Sequence, residues 1–174
     1  MLNPGDFHAL RKGEIRLIRQ TGRLAVLGKC DSALYHNFVK EHEAFIEGHA
    51  LLLPEIGQLS KYLNKVPELA WDIIEFSEKE LEIIFEGGRQ VPDFFLREDK
   101  KLAIRTVMNG KFHQMLYNLG RPLGLTKLSP SFPEIDPLEQ QEIVLNLPDN
   151  FEWKLEPGKR MSLGINGEVK FYDD

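Results

Sequence analysis

The 174-residue sequence has a single cysteine, Cys30. A lone thiol cannot close an internal disulfide, so a disulfide scaffold is excluded and a reducing, cytoplasmic setting is expected. Cys30 itself reads as a small buried residue. Long apolar runs are also missing: residues 50–53 suit one short strand, whereas a membrane span needs about 20 residues. Pro4, Gly5 and Asp6 stand where a secretory leader carries its apolar stretch, so export is not expected. Positive charge is in deficit, with 22 Lys and Arg against 27 Asp and Glu and a net charge of -5. That excludes the uniformly basic surface of many nucleic-acid binders and leaves room for a local basic groove.

Several chemical signatures are missing too. No Gly-x-x-x-x-Gly-Lys phosphate loop and no Gly-x-Gly-x-x-Gly fingerprint occurs, so the two commonest nucleotide sites of α/β domains lack support. The five histidines, His8, His36, His42, His49 and His113, are dispersed, and no metal site is expected. Ser129 and Ser131 lie among prolines without the strand-turn-helix setting of a serine nucleophile. No repeat or low-complexity tract is present.

What remains is an ordinary folded composition, 42% hydrophobic, 28% charged and 10% aromatic, long enough for one domain with a sizeable core. Asp6 caps a short helix to Lys12, and apolar runs around 15–18 and 24–27 read as strands. Asp31 caps a helix carrying Leu34, Phe38 and Phe45 to Gly48. Residues 50–53 form a buried strand, and Pro54 opens a helix through Leu63. Pro67 opens another helix, with Leu69, Trp71, Ile73, Ile74 and Phe76 on its apolar surface. Strands are expected at 81–85 and 101–107, a helix at 111–119 stopped by Gly120, and a strand at 123–126. The proline-rich 129–137 reads as a loop and 138–147 as a helix. Asn166-Gly167 suits a tight hairpin turn between arms 161–165 and 168–172. Interleaved strands and helices point to an α/β fold, a single domain with a twisted, mixed open sheet and flanking helices.

The order of motifs along the chain resembles the YrdC-like family (the YrdC, YciO and YwlC group), whose active members make threonylcarbamoyl-AMP. Leu51-Leu52-Leu53, Leu59-Ser60-Lys61-Tyr62-Leu63 and Val66-Pro67-Glu68-Leu69-Ala70-Trp71 look like the family's buried strand, its Leu-Ser-x-Tyr helix and the following helix. Glu82-Ile83-Ile84-Phe85, Val91-Pro92 and Ala103-Ile104-Arg105-Thr106-Val107 fall where the family has Thr-x-Ile-Leu, Val-Pro and Gly-Ile-Arg-x-Pro. Gly120-Arg121-Pro122-Leu123-Gly124-Leu125-Thr126 resembles Gly-x-Pro-Leu-x-Ser-Thr. The similarity is best supported over 50–131. Fainter matches extend it over 1–174, with Thr21, Leu27, Gly28, Cys30 and Asp31 upstream, Lys40 in a Lys-x-Arg motif, and Arg160-Met161-Ser162-Leu163 in a Ser-Thr-Val strand.

Active members hold ATP, bicarbonate and threonine on a positively charged concave face, and here most of the implied positions differ. Gly22 and Arg23 replace the Asp and Thr of a Thr-Asp-Thr element, Ala25 replaces its Tyr, and His42 stands for the Arg of Lys-x-Arg. A neutral Pro-Gly-Pro-x-Thr loop becomes Glu78-Lys79-Glu80-Leu81-Glu82, and Lys127 enters the Ser-Thr-Ser-Ala-Asn stretch. The resemblance implies nucleotide- or RNA-binding candidates at Arg23, Lys40, Arg105, Thr126, Lys127 and Ser162. The bland readings beside it are that Arg105 pairs with a nearby Glu, that Lys40 and Lys127 are solvated, and that Thr126 and Ser162 bond locally to backbone.

Three functions follow. The first is a divergent YrdC-like domain that binds RNA, a nucleotide or another anion in a concave basic groove, with synthase chemistry lost and no particular cofactor implied. The second is an active threonylcarbamoyl-AMP synthase serving tRNA modification with ATP and magnesium. The third is a protein-interaction module docking a protein partner through Phe151, Trp153 or Phe171.

Overall fold

The computed structural model describes residues 2–172. Nine strands are present among them: β1 (Arg16–Gln20), β2 (Arg23–Lys29), β3 (Ile46–Leu53), β4 (Leu81–Phe85), β5 (Leu102–Thr106), β6 (Leu123–Leu128), β7 (Val144–Asn146), β8 (Lys159–Leu163) and β9 (Val169–Tyr172). The α-helices are α1 (Pro4–Arg11), α2 (Ala33–Glu41), α3 (Leu59–Tyr62), α4 (Glu68–Phe76), α5 (Gly110–Leu119) and α6 (Ile135–Gln140). Two compact units are built from them, one from the chain up to residue 49 with 121–155, the other from 50–120 with the chain from 156 onward. Both are α/β with mixed strand directions.

In the first unit β7 runs parallel to β1, and β1-β2-β6 is antiparallel. Thr21 and Gly22, both with positive φ, form the two-residue turn between β1 and β2, the hand that matches strand twist. Leu17, Val26, Phe38, Leu128 and Phe132 form a buried cluster, so α2 packs on the sheet face that carries Val26 and Leu128. Asn3 rather than Asp6 caps α1; Asp6 is the reciprocal partner of a capping box and also meets Arg16 at 3.0 Å. Likewise Ser32, not Asp31, caps α2, accepting from the Tyr35 N–H at 3.2 Å and donating to the Gly13 carbonyl.

Two expected helices are shorter than their periodicity suggested. Helix α2 stops at Glu41 because Phe38, His42, Phe45 and Phe132 gather into one ring cluster. A 3-10 turn over Glu43–Phe45 then turns the chain into β3, four residues before the strand read from sequence. The helix expected over 138–147 is α6, which begins at Ile135 inside the proline-rich stretch. Glu142, at φ 59, ends its course, since a non-glycine left-handed residue cannot continue a right-handed helix. The next residues pair with β1, where the Leu17 N–H donates to the Ile143 carbonyl at 2.7 Å.

In the second unit the last part of β3 lies parallel to β5, β5 is antiparallel to β4, β4 parallel to β8, and β8 antiparallel to β9. Helix α4 buries Ala70 and Ile74, and α5 buries Phe112, Leu116 and Leu119 before Gly120 turns left-handed. The helix expected after Pro54 divides into a 3-10 turn over Ile56–Gln58 and the single-turn α3. At the β8–β9 hairpin the Gly167 N–H donates to the Gly164 carbonyl at 3.0 Å, and Gly167 itself is left-handed. The turn is therefore a four-residue turn closed by glycine rather than a two-residue Asn-Gly turn. Among the described residues no helix is long and apolar enough to cross a membrane.

Candidate functional site

Strand register divides the first unit's candidates between two faces. Ala25 pairs with Lys127 and Val26 with Thr126, and side chains alternate along a strand. Lys127, directly opposite Ala25, and Arg23, two residues before it on the same strand, therefore share one face. Arg23 is exposed and Lys127 half-buried. Thr126 points to the opposite face, the one covered by α2, where it is fully buried. Lys40 is exposed on α2, so the structure does not bring it to Arg23 and Lys127.

Beneath α2 the Thr126 hydroxyl joins two side chains that sequence reasoning did not single out. The Tyr35 hydroxyl lies 2.6 Å from Thr126 Oγ1, and His49 Nδ1 lies 2.8 Å from the same atom. Room for the Tyr35 ring comes from Gly28, where an added Cβ would sit 2.5 Å from the Tyr35 ring carbon Cδ2. Burial holds the Tyr35 phenol well above its ordinary range, against the lowering effect of the Thr126 hydrogen bond. The Cys30 thiol is pushed up to about 12 by burial and then by the Asp31 carboxylate. A thiol so protonated is a poor nucleophile.

The second unit places its candidates in a row of charges. Register aligns Leu52 with Arg105, Arg105 with Glu82, Glu82 with Arg160, and Arg160 with Tyr172 across successive strands. Arg105 has no exposed surface and is the largest side chain buried to that degree. Its Nε donates to Glu80 Oε2 at 3.0 Å and its Nη2 meets the same oxygen. Arg160 reaches Glu82 at 3.2 Å and Glu156 at 2.8 Å. Glu82 is itself buried. Three carboxylates and two guanidiniums thus lie in a row, as the pair Arg105–Glu80 and the set Glu82–Arg160–Glu156.

Ser162 is half-buried on β8 and pairs with Ile84. It lines a pocket of about 270 Å³ with Lys101, Lys170, Glu86 and Glu168. Of the docking aromatics considered from sequence, Trp153 is buried, Phe151 half-buried and Phe171 exposed. No group of three or more metal-ligating side chains converges among the described residues. Glu80 and Glu82 were visible as acids in a divergent loop; Glu82 shares Arg105's face through strand register, and Glu80, just before β4, meets the arginine from outside the strand. Tyr35 and His49 carry no such signal, because their partner lies some eighty to ninety residues away.

No family model matches the chain, and no curated protein matches it. Solved structures do share its fold. E. coli YciO superposes with a TM-score of 0.62 at 19% identity, over 92% of this chain and 82% of that one. Full-length HypF in its phosphate- and nucleotide-bound form gives 0.66 at 14% identity, over 95% of this chain and 27% of that one. P. abyssi Sua5 complexed with L-threonine gives 0.61 at 13% identity, over 90% of this chain and 49% of that one. The chain thus spans about a quarter of HypF and half of Sua5. Its fold is YrdC-like, as the motif order indicated, and identities this low establish the fold alone.

Proposed function

With the YrdC-like fold as premise, we propose that this protein is a divergent YrdC-like domain that binds a phosphate-bearing ligand, RNA or a nucleotide, and has lost synthase chemistry. The observation that carries the reading is the fate of Arg105. Adenylate formation displaces pyrophosphate from ATP, and the charge on the reacting phosphates must be neutralised by Lys, Arg or magnesium. Here the buried arginine of the family-like Gly-Ile-Arg stretch is neutralised by Glu80, an acid of the segment that replaces a neutral loop. The binding cations proposed are Arg23 and Lys127, which share one face of β2 and β6. Phosphate binding is also a property of a fold neighbour, HypF, solved with phosphate and nucleotide bound. Thr126 is proposed as a buried support for β6.

The test is titration of the full chain with ATP and with a short single-stranded RNA at two salt concentrations. Arg23→Ala and Lys127→Ala each lower the slope of log affinity against log salt by about 1. Pyrophosphate release that requires ATP, magnesium, bicarbonate and threonine together would restore the synthase reading, with ATP and magnesium as its cofactors.

Exposed aromatics favour a second reading as a protein-interaction module. Phe76 is 76% exposed at the end of α4 and Phe171 is 56% exposed on β9. A partner held there binds with little salt dependence, and Phe76→Ser with Phe171→Ser abolishes its binding while leaving ATP and RNA titrations unchanged.

A further inference from the structure

The outermost strands of the two units are finished differently. In the first unit β7 is three residues long, mostly half-buried, and Pro148 follows shortly after it. In the second unit β9 pairs with β8 alone among the described strands, and all four of its residues are exposed. Phe171 is the most open of them at 56%. Neither a proline nor a bulge interrupts the strand. An open apolar edge of this kind is a template for a further strand.

Alternation fixes what that edge presents. The Gly164 N–H donates to the Glu168 carbonyl at 2.8 Å, so in this antiparallel ladder Glu168, Lys170 and Tyr172 turn their backbone groups toward β8. Val169 and Phe171 turn theirs outward. By side chain, Val169 and Phe171 stand beside the buried Leu163 and Met161 on one face, with Glu168 and Lys170 on the other. Glu86 and Lys101, one of each sign, line a cavity with Glu168 and Lys170 on that charged side. Because only Val169 and Phe171 offer outward hydrogen bonds, a second β9 laid antiparallel meets the first with like faces together.

Charge and shape then select the register. A two-fold axis at Lys170 sets that lysine opposite its own copy, a like-charge contact that opposes pairing. An axis at Phe171 sets Lys170 opposite Tyr172 and joins no Glu168 to a lysine. An axis at Val169 sets Lys170 of each copy opposite Glu168 of the other, and Phe171 of each opposite Gly167 of the other. Gly167 lines a cavity of about 470 Å³ whose apolar lining is Pro67, Leu69 and Ile165, and a Cβ added at Gly167 would meet nothing. One edge thus carries both an exposed ring and a space for one, the self-complementarity that a two-fold interface requires.

We propose that β9 is the docking surface for a second copy of this chain, joined antiparallel about a two-fold axis at Val169, with each Lys170 against the other copy's Glu168 and each Phe171 in the cavity beside the other copy's Gly167. The proposal rests on the interaction reading above, whose partner at Phe171 it names, and is independent of the anion-binding reading.

Sedimentation equilibrium of the full chain, run from about 1 μM to 1 mM, shows a monomer–dimer equilibrium. Glu168→Lys and Lys170→Glu each replace two attractive contacts by two repulsive ones, so each variant alone dimerises about tenfold more weakly than the unchanged chain. Mixed in equal amounts, the two variants form a heterodimer in which both contacts are attractive again, and it is as tight as the unchanged dimer. A folding defect cannot produce that rescue. Val169→Pro removes an outward N–H and leaves the β8 ladder intact, and Phe171→Ala empties the cavity; each weakens the dimer by about tenfold or more. A chain that stays monomeric throughout the range overturns the proposal, as does a mixture no tighter than its components. A dimer that Phe76→Ser removes and Val169→Pro spares overturns it too, while keeping the interaction reading. That reading fails in its turn if Phe76→Ser with Phe171→Ser leaves the chain's association unchanged.

Discussion

In the first unit the polar groups gathered beneath α2 are two buried hydroxyls and a half-buried imidazole: Tyr35 and His49 both meet Thr126 Oγ1. In the second unit the buried polar groups include ions, Arg105 and Glu82, set in a row of charges with Glu80, Arg160 and Glu156. The difference is one of consequence. Neutral partners lose about 1 kcal/mol each when a bond is removed, because the orphaned group is only a dipole. Ionic partners leave an uncompensated charge, so the same deletion costs several times more. The first unit carries Arg23 exposed and Lys127 half-buried, and the second sets its buried cation against its own carboxylate.

The sharpest way to break that contrast is Arg105→Ala, which strands Glu80 without this partner and lowers the unfolding free energy by about 3–5 kcal/mol, read from urea denaturation. Alkaline pH probes the neutral unit instead. The folded-state values of Cys30 and Tyr35 are raised above their ordinary 9.0 and 10.0, so the native state holds protons that the unfolded chain releases. Their stabilisation is complete below about pH 9 and is lost as pH rises toward the folded Cys30 value of about 12, by about 1.4 kcal/mol per pH unit for each group. Urea midpoints at pH 7, 9 and 10.5 check the trend, and Cys30→Ala removes one group's share of the slope. Tyr35→Phe lowers stability by about 1–2 kcal/mol, and a double-mutant cycle with Thr126→Val returns a coupling that Arg19→Ala with Thr126→Val does not. The smallest effect belongs to that exposed pair: Arg19 meets Glu139 at 2.7 Å with both side chains more than a third exposed. Arg19→Ala costs less than about 1 kcal/mol, and less still in high salt.

Much of the fold was legible in particular residues. Leu81, Ile83 and Phe85 alternating with Glu82 and Ile84 marked β4, and Phe112, Leu116 and Leu119 with Gly120 behind them marked α5 and its end. The shared order of Leu51-Leu52-Leu53, Val91-Pro92 and Arg105 pointed to the YrdC-like fold that the structure has. Misreadings fell where a distant strand or ring competed with local periodicity. Residues 143–146 have helix-compatible spacing and pair with β1 instead. Phe45 looks like the last apolar position of α2 and belongs to a ring cluster with Phe132.

The candidate site was legible as a set of residue types and not as an arrangement. Its cations and hydroxyls were named one by one from Arg23 to Ser162, and the acids of 78–82 were recognised as foreign to an anion site. That Thr126 turns away from Lys127, and that Lys40 rides on the helix covering the other face, follow from register alone. A shift of one residue in β6 would exchange the roles of Thr126 and Lys127.

By itself the sequence determined what local chemistry dictates: an α/β alternation, caps and turns near the right residues, no possible disulfide and a deficit of positive charge. Hydrophobic periodicity and backbone restrictions act over a few residues, so they are written in neighbouring letters. Only the tertiary structure decided that Arg105 is answered by Glu80 rather than left open, and that Tyr35 and His49 meet at one threonine. Those pairings link residues from 25 to 91 positions apart in the chain. Desolvation makes them count, because burial turns a contact of little worth in water into the term that decides which groups remain available to a ligand.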